Sequence, residues 1–172
     1  GRIKIDMPSR IARCLVAPAL PAFLERYPDV AIELGSSDRA IDLVHEGIDC
    51  ALRVGDVRSE NLVAQRLGHL RMANCASPRY LARYGTPQSP VDLPQHRMVG
   101  YALASKGSAL WEWQVGEQSG GPSGAQLRTT AMPSQVSVNN VETYIACGLA
   151  GLGLIQIPAY DVQAQLQRHE LV

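Results

Sequence analysis

The apolar positions of the chain switch between a period of two and a spacing of three to four, and the switches mark its elements. Ile3, Ile5 and Met7 alternate with Lys4 and Asp6, which predicts a half-buried strand ended by Pro8. Ser9 is the expected cap of the helix that follows. Ile11, Leu15, Ala19, Leu20, Phe23, Leu24 and Tyr27 form its wide apolar face. Pro18 and Pro21 lie inside that face and each removes a backbone donor, so a kink or a new first turn is expected near Pro18. Val30, Ile32 and Leu34 alternate with Ala31, Glu33 and Gly35, a second strand. Ser36-Ser37-Asp38 offers a helix N-cap, and Ala40, Ile41, Leu43 and Val44 give a short apolar face. Gly47 is the left-handed stop, with Ile48 packing back on Leu43. Ile48, Cys50, Leu52 and Val54 then alternate with Asp49, Ala51 and Arg53. Val30–Gly55 is thus a βαβ unit, and a right-handed crossover makes its strands parallel.

Downstream, a polar loop at 56–61 precedes two extended runs, Leu62–Leu70 and Arg71–Ala76, around Gly68-His69. Ser77-Pro78 starts a short helix that Gly85 stops. After a Pro-rich loop, residues 98–101, the run around Trp111 and Trp113, 126–132 and 136–138 read as strands, with the best turn at 118–124. Asn139 is the expected N-cap of the next helix, with Glu142 completing a capping box. Val141, Ile145 and Leu149 are its buried stripe. Leu152, Leu154, Ile155 and Ile157 form an apolar strand closed by Pro158, and Tyr160–Leu166 is a final helix.

In open parallel sheets, ligands sit beyond the carboxyl ends of the strands. Those ends here carry Ser9, Ser36-Ser37 and Arg53-Val54-Gly55. Hydroxyls, helix N–H groups and a guanidinium together suit a small carboxylate or another anion. The plainer alternative is that Ser37 only caps a helix and Arg53 only pairs with Asp49 or Asp56.

Composition narrows the classes. The 172 residues make one domain or two small ones, and 46% hydrophobic with 19% charged residues is ordinary for a globular protein. Sixteen basic and sixteen acidic side chains cancel, and no basic stripe exists, so tight nucleic-acid binding by this chain alone is not expected. Cys14, Cys50, Cys75 and Cys147 lack CxxC spacing and read as reduced core residues of a cytoplasmic protein. His45, His69, His96 and His169 show no metal-ligand spacing. No metal, cofactor or catalytic residue is expected, since GxSxG, HExxH and GxxxxGK[ST] are all missing. Ser105-Lys106 is a lone pair in a polar loop. Gly148–Gly153 follows a helix and precedes a strand, the reverse of a dinucleotide loop, and reads as a helix end and close packing. Asp49 and Asp56 are either paired carboxylates or solvated ones. Trp111 and Trp113 share a strand face and either stack on a ligand or pack in the core. There is no signal peptide and no apolar run long enough for a membrane span. The chain begins at Gly1 without a Met and enters a strand almost at once, so it is expected to be a piece of something longer.

Several segments together carry a family resemblance: residues 17–30 (APALPAFLERYPDV), 41–55 (IDLVHEGIDCALRVG), 62–68 (LVAQRLG), 75–87 (CASPRYLARYGTP), 90–101 (PVDLPQHRMVGY), 138–142 (VNNVE) and 146–158 (ACGLAGLGLIQIP). In order and spacing they resemble the effector-binding domain of LysR-type transcriptional regulators over nearly the whole chain. The resemblance implies an α/β fold of the type 2 periplasmic-binding-protein kind, two Rossmann-like subdomains joined by two crossing strands. Residues 1–72 plus 155–172 would form subdomain I and 73–154 subdomain II, with Ala73–Ser77 and Leu154–Pro158 as the crossings. It also implies a C-terminal part of subdomain I beyond Val172, truncated here, and an N-terminal winged helix-turn-helix outside this chain that binds DNA.

The family's effector positions map onto Pro8, Ser9, Arg10, Ser36, Ser37, Arg53, Val54, Gly55, Tyr101, Val138, Asn139 and Asn140. Many relatives carry Asp where this chain has Asn140; either one cleft charge is lost, which favours an anionic effector, or the change is a surface one. The expected function is a non-enzymatic, ligand-sensing, dimerising regulatory domain. Its partners would be a small-molecule effector and a second copy, with a tetramer possible for the full-length protein, and no membrane. The dimer would use the helical stretch Ser9–Tyr27 and the strand Val30–Gly35. A free solute-binding protein of the same fold is the alternative, and an enzyme is the more distant rival.

Overall fold

The strand at the centre of the first sheet is β1 (Arg2–Met7), flanked by β2 (Ala31–Ser36) and β3 (Cys50–Ala51) in the order β2-β1-β3. The computed structural model describes residues 1–36, 43, 45–55, 62–101, 110–115 and 126–172. Contacts divide it into two units, Gly1–His69 and Leu70–Val172.

In the first unit both flanking strands run parallel to β1, in the registers Arg2↔Ala31 to Met7↔Ser36 and Ile5↔Cys50 to Asp6↔Ala51. The two strands of the Val30–Gly55 unit are therefore parallel, as expected, but β1 lies between them. Strand β3 is shorter than its alternation suggests, yet Asp49 N–H donates to Lys4 O and Leu52 N–H to Asp6 O, both at 2.9 Å, extending the pairing at each end. The stretch from Ser9 to Arg26 is helical throughout but changes geometry where the prolines remove donors. α1 (Ser9–Ile11) passes into a π-turn over Ala12–Val16, a 3-10 turn over Ala17–Ala19, and α2 (Leu20–Arg26), with Pro21 in its first turn. Most of the expected helix at 38–46 lies outside the described residues. Its end is present: Gly47 has φ +61° and Ile48 N–H reaches Leu43 O at 2.9 Å, the six-to-one bond of a left-handed helix stop.

The second unit is built on β4 (Met72–Cys75), antiparallel to the later strand β9 (Ile155–Pro158). Ser77 caps α3 (Pro78–Tyr84) by accepting from Tyr80 N–H. β5 (Gly100–Tyr101) pairs in parallel with β8 (Ser137–Val138), and β6 (Leu110–Val115) forms an antiparallel ladder with β7 (Gln126–Ala131). α4 (Val141–Leu149) and the short α5 (Gln163–Gln167) complete it. One core cluster joins Cys75, Val99, Tyr144, Ile145, Ile155, Ile157, Val162 and Leu171; a second joins Tyr80, Leu93, Met98, Trp111, Met132 and Leu154. Trp111 is therefore a core residue, and Trp113 packs on the same cluster and donates its indole N–H to Thr130 Oγ1 at 3.0 Å.

Residues 155–172 pack with the second unit: Val162 and Leu171 close on its core, and Val172 and Ala76 exchange two backbone hydrogen bonds of 2.9 Å. The expectation of four core cysteines needs correction. Cys50 is exposed on β3, whereas Cys75 is buried and its thiol is pushed up to about 11 by burial; all four cysteines are free. The run Leu62–Leu70 joins no strand among the described residues.

Candidate functional site

The parallel registers of the first unit bring its strand ends into one row. Gly35, Asp6 and Ala51 stand side by side, and one step on, Ser36 pairs with Met7. Pro8, Ser9 and Arg10 follow directly from β1, and Arg53, Val54 and Gly55 follow from β3. Gly55 turns the chain away with φ +102°. Ser37 lies outside the described residues. Pro8, not Ser9, holds the N-cap position of α1, with φ −55° and ψ 139°, and no side chain caps it. Ser9 is already helical, and the Pro8 carbonyl accepts from Ala12 N–H at 3.0 Å.

Arg53 does not pair with Asp49. Its Nη2 donates to Asp6 Oδ1 at 2.5 Å and its Nη1 to Leu52 O at 2.9 Å. Asp49 is held elsewhere, its Oδ2 accepting the Lys4 backbone N–H at 2.8 Å; Asp56 lies outside the described residues. The Asp6 side chain is 5% exposed and that of Arg53 26%. Asp6 fits because Gly35 has no side chain: a Cβ there would lie 2.6 Å from Asp6 Oδ2. Sequence reasoning missed Asp6 and Gly35, because alternation places Asp6 on the polar side of β1 with Lys4.

In the second unit, the register Tyr101↔Val138 sets the carboxyl ends of β5 and β8 together, and Asn139 and Asn140 follow at the start of α4. The close strand approach needs Gly100, where a Cβ would come within 2.4 Å of Ser137 Oγ. Asn140, not Asn139, is the N-cap: its backbone is extended and its Oδ1 accepts Thr143 N–H at 3.1 Å. Thr143 therefore occupies the third helical position, where the expected capping box placed Glu142. The Tyr101 ring packs edge-on to Tyr144, with centroids 5.0 Å apart and planes at 67°. Tyr144 Oη accepts Gln156 N–H at 3.1 Å, and burial pushes its phenol above the ordinary value.

A hollow of about 500 Å³ lies between α3, the Pro-rich loop and β6, with Leu81, Leu93, Trp111 and Trp113 in its wall. None of the described candidate residues lines it. Among the described residues, no group of three His, Cys, Asp or Glu side chains is placed to hold a metal, and no helix is long and apolar enough to cross a membrane.

Residues 1–172 match the LysR substrate binding domain end to end. The chain belongs to that family. It is 40% identical, over its full length, to the uncharacterized HTH-type transcriptional regulator YhjC of Escherichia coli K12, of which it covers 55%. The LysR substrate binding domain described here thus spans about half the length of the curated relatives it matches. Among solved structures it is similar to the CrgA regulatory domain of Neisseria meningitidis, with a TM-score of 0.75 and 28% identity, covering 100% of this chain and 79% of that one. It is also similar to the full-length Vibrio cholerae virulence activator AphB, with a TM-score of 0.77 and 28% identity, covering 100% of this chain and 56% of that one. The fold is accordingly the mixed α/β, type 2 periplasmic-binding-protein-like one.

Proposed function

We propose that this LysR substrate binding domain senses a small anionic effector and controls DNA binding by a winged helix-turn-helix of the whole regulator. The effector sits between subdomains that the two crossing strands join. One wall is Pro8, Ser9, Arg10, Ser36, Ser37 and Arg53–Gly55; the other is Tyr101, Val138, Asn139 and Asn140. The observation that carries this reading is the convergence of strand ends within each unit, Met7 beside Ser36 and Tyr101 beside Val138. Hydroxyls and a guanidinium supply donors on one wall, and a neutral aromatic face supplies the other. Effector binding then shifts the angle between subdomains, and a dimer of such domains transmits it to the DNA-binding heads. The site of action is cytoplasmic, where the DNA is. No observation favours a free solute-binding protein, and the relatives are transcriptional regulators.

Calorimetry of the chain against small aromatic and aliphatic carboxylates tests this. Binding of at least one carboxylate, weakened about tenfold or more in Arg53→Ala, is the expected result. No binding by any carboxylate, or equal binding by Arg53→Ala, would sink the anion-site assignment.

A further inference from the structure

The acid buried beneath the strand-end wall has no place in the reading above. Asp6 is 4% exposed in the middle of a parallel sheet, where an unpaired carboxylate would be costly. All three strands accommodate it. Its own backbone oxygen accepts Leu52 N–H at 2.9 Å, its Oδ1 takes the Arg53 Nη2 at 2.5 Å, and its Oδ2 occupies the space that a side chain at residue 35 would fill. The other charged side chains on this face of β1 are engaged away from it: Lys4 Nζ donates to Glu46 O at 2.8 Å, and Arg2 pairs with Glu33.

We propose that Asp6 is the specificity-determining residue of the strand-end site, an internal competitor that cancels the charge of Arg53. The inference rests on reading the strand ends as the effector site. Of the two guanidinium groups named for that wall, Arg10 and Arg53, Asp6 contacts Arg53, and Asp6 and Arg53 together carry no net charge. A ligand carboxylate arriving at Arg53 is attracted by its guanidinium and repelled by the Asp6 carboxylate in direct contact with that guanidinium. At Arg53, charge alone therefore gives such a ligand little. Added affinity comes from hydrogen bonds to Ser9 and Ser36, so the site favours a carboxylate with further polar groups, such as hydroxyls or amides, over a bare one. Removing the Asp6 charge leaves Arg53 in place and turns the wall into a simple anion receptor.

The test uses benzoate as a bare monocarboxylate, titrated into the 172-residue chain and followed by backbone amide NMR. Asp6→Asn and Asp6→Ser are expected to bind it about tenfold or more tightly than the unaltered chain. Shift changes should centre on Ser9, Ser36 and residues 52–55, and adding Arg53→Gln should abolish the gain. Two variants are used because one of them could fold poorly; either one alone, if folded, decides the matter. Shifts at the strand ends with unchanged or weaker binding in the Asp6 variants overturn the role of Asp6 and leave the site standing. Shifts that map elsewhere overturn the site reading itself. Failure of every variant to bind benzoate also overturns the proposal, because an unmasked Arg53 must attract it.

Discussion

The two units use one backbone device, the carboxyl ends of parallel strands brought side by side, and secure it differently. In the second unit the device rests on a core. Val138 and Tyr101 pack on a cluster whose central members, Val99, Ile155 and Val162, are wholly buried. In the first unit only Met7, Ile11 and Ala12 are buried apolar residues among those described. What fixes the strand ends there is polar, an Asp6–Arg53 pair seated over a glycine. The difference separates roles. In our proposed site, the wall held by packing would be insensitive to charge, whereas the wall held by an ion pair would respond to a ligand that competes for either partner.

The sharpest way to break this contrast is to remove an equivalent apolar group from each unit. Ile155→Ala should cost about 2–5 kcal/mol of unfolding free energy in urea denaturation, because Ile155 is fully buried and the cavity cannot collapse against β4 and α4. Phe23→Ala should cost less than about 1 kcal/mol, because Phe23 is 39% exposed in this chain. It should instead weaken self-association in sedimentation. The apolar face formed by Leu15, Phe23, Leu24 and Tyr27 stands 38–50% exposed, and our proposed dimer buries it. Equal destabilisation by the two substitutions would refute the contrast.

That exposed face also shows what the sequence could and could not reveal. Spacing identified the helical stretch 9–26 and its apolar side, because period follows from backbone geometry. It did not say what covers that side, because burial depends on a partner surface. Alternation likewise identified β1, β2 and β3 and their parallel sense, but not that β1 separates the other two. Neighbour order in a sheet is a long-range property that no local period encodes. The strand ends, and then the resemblance, marked both Ser36 and Arg53, but Asp6 stood only on the polar side of the β1 alternation. Its burial depends on Gly35 and Arg53 meeting it from two other strands. At the start of α4 the expected cap was Asn139, and the backbone conformation moves it one residue on, to Asn140.

The glycines give a second, smaller test. A Cβ at Gly153 would sit 2.8 Å from the backbone of Arg97 and Met98, which cannot yield without breaking the Met98–Leu154 bridge. Gly153→Ala should therefore destabilise by about 1–3 kcal/mol. Gly35→Ala meets the far end of a flexible side chain instead, so Asp6 can turn with Arg53 still attached. Its denaturation midpoint should fall less, while the displaced Asp6–Arg53 pair shows faster Arg53 side-chain N–H exchange by NMR. A larger stability loss at Gly35 than at Gly153 would mean that the first unit is the more tightly packed, the reverse of our view.

The smallest effect lies at the start of α4, where the second wall meets the helix. Asn140 spends its Oδ1 on Thr143 N–H, so Asn140→Ala should cost about 1 kcal/mol through the lost cap. Asn140→Asp should restore the loss, since a carboxylate caps equally well and is favoured at a helix start. It should also repel an anionic ligand from the wall, and so separate the structural use of this position from its use in recognition. Asn139→Ala should leave the midpoint within a few tenths of a kcal/mol, because Asn139 is exposed and precedes the cap. If Asn139→Ala were the costlier of the two, the cap would belong to Asn139 after all. Asn140 would then be open to a ligand, and the second wall would no longer be held by structure alone.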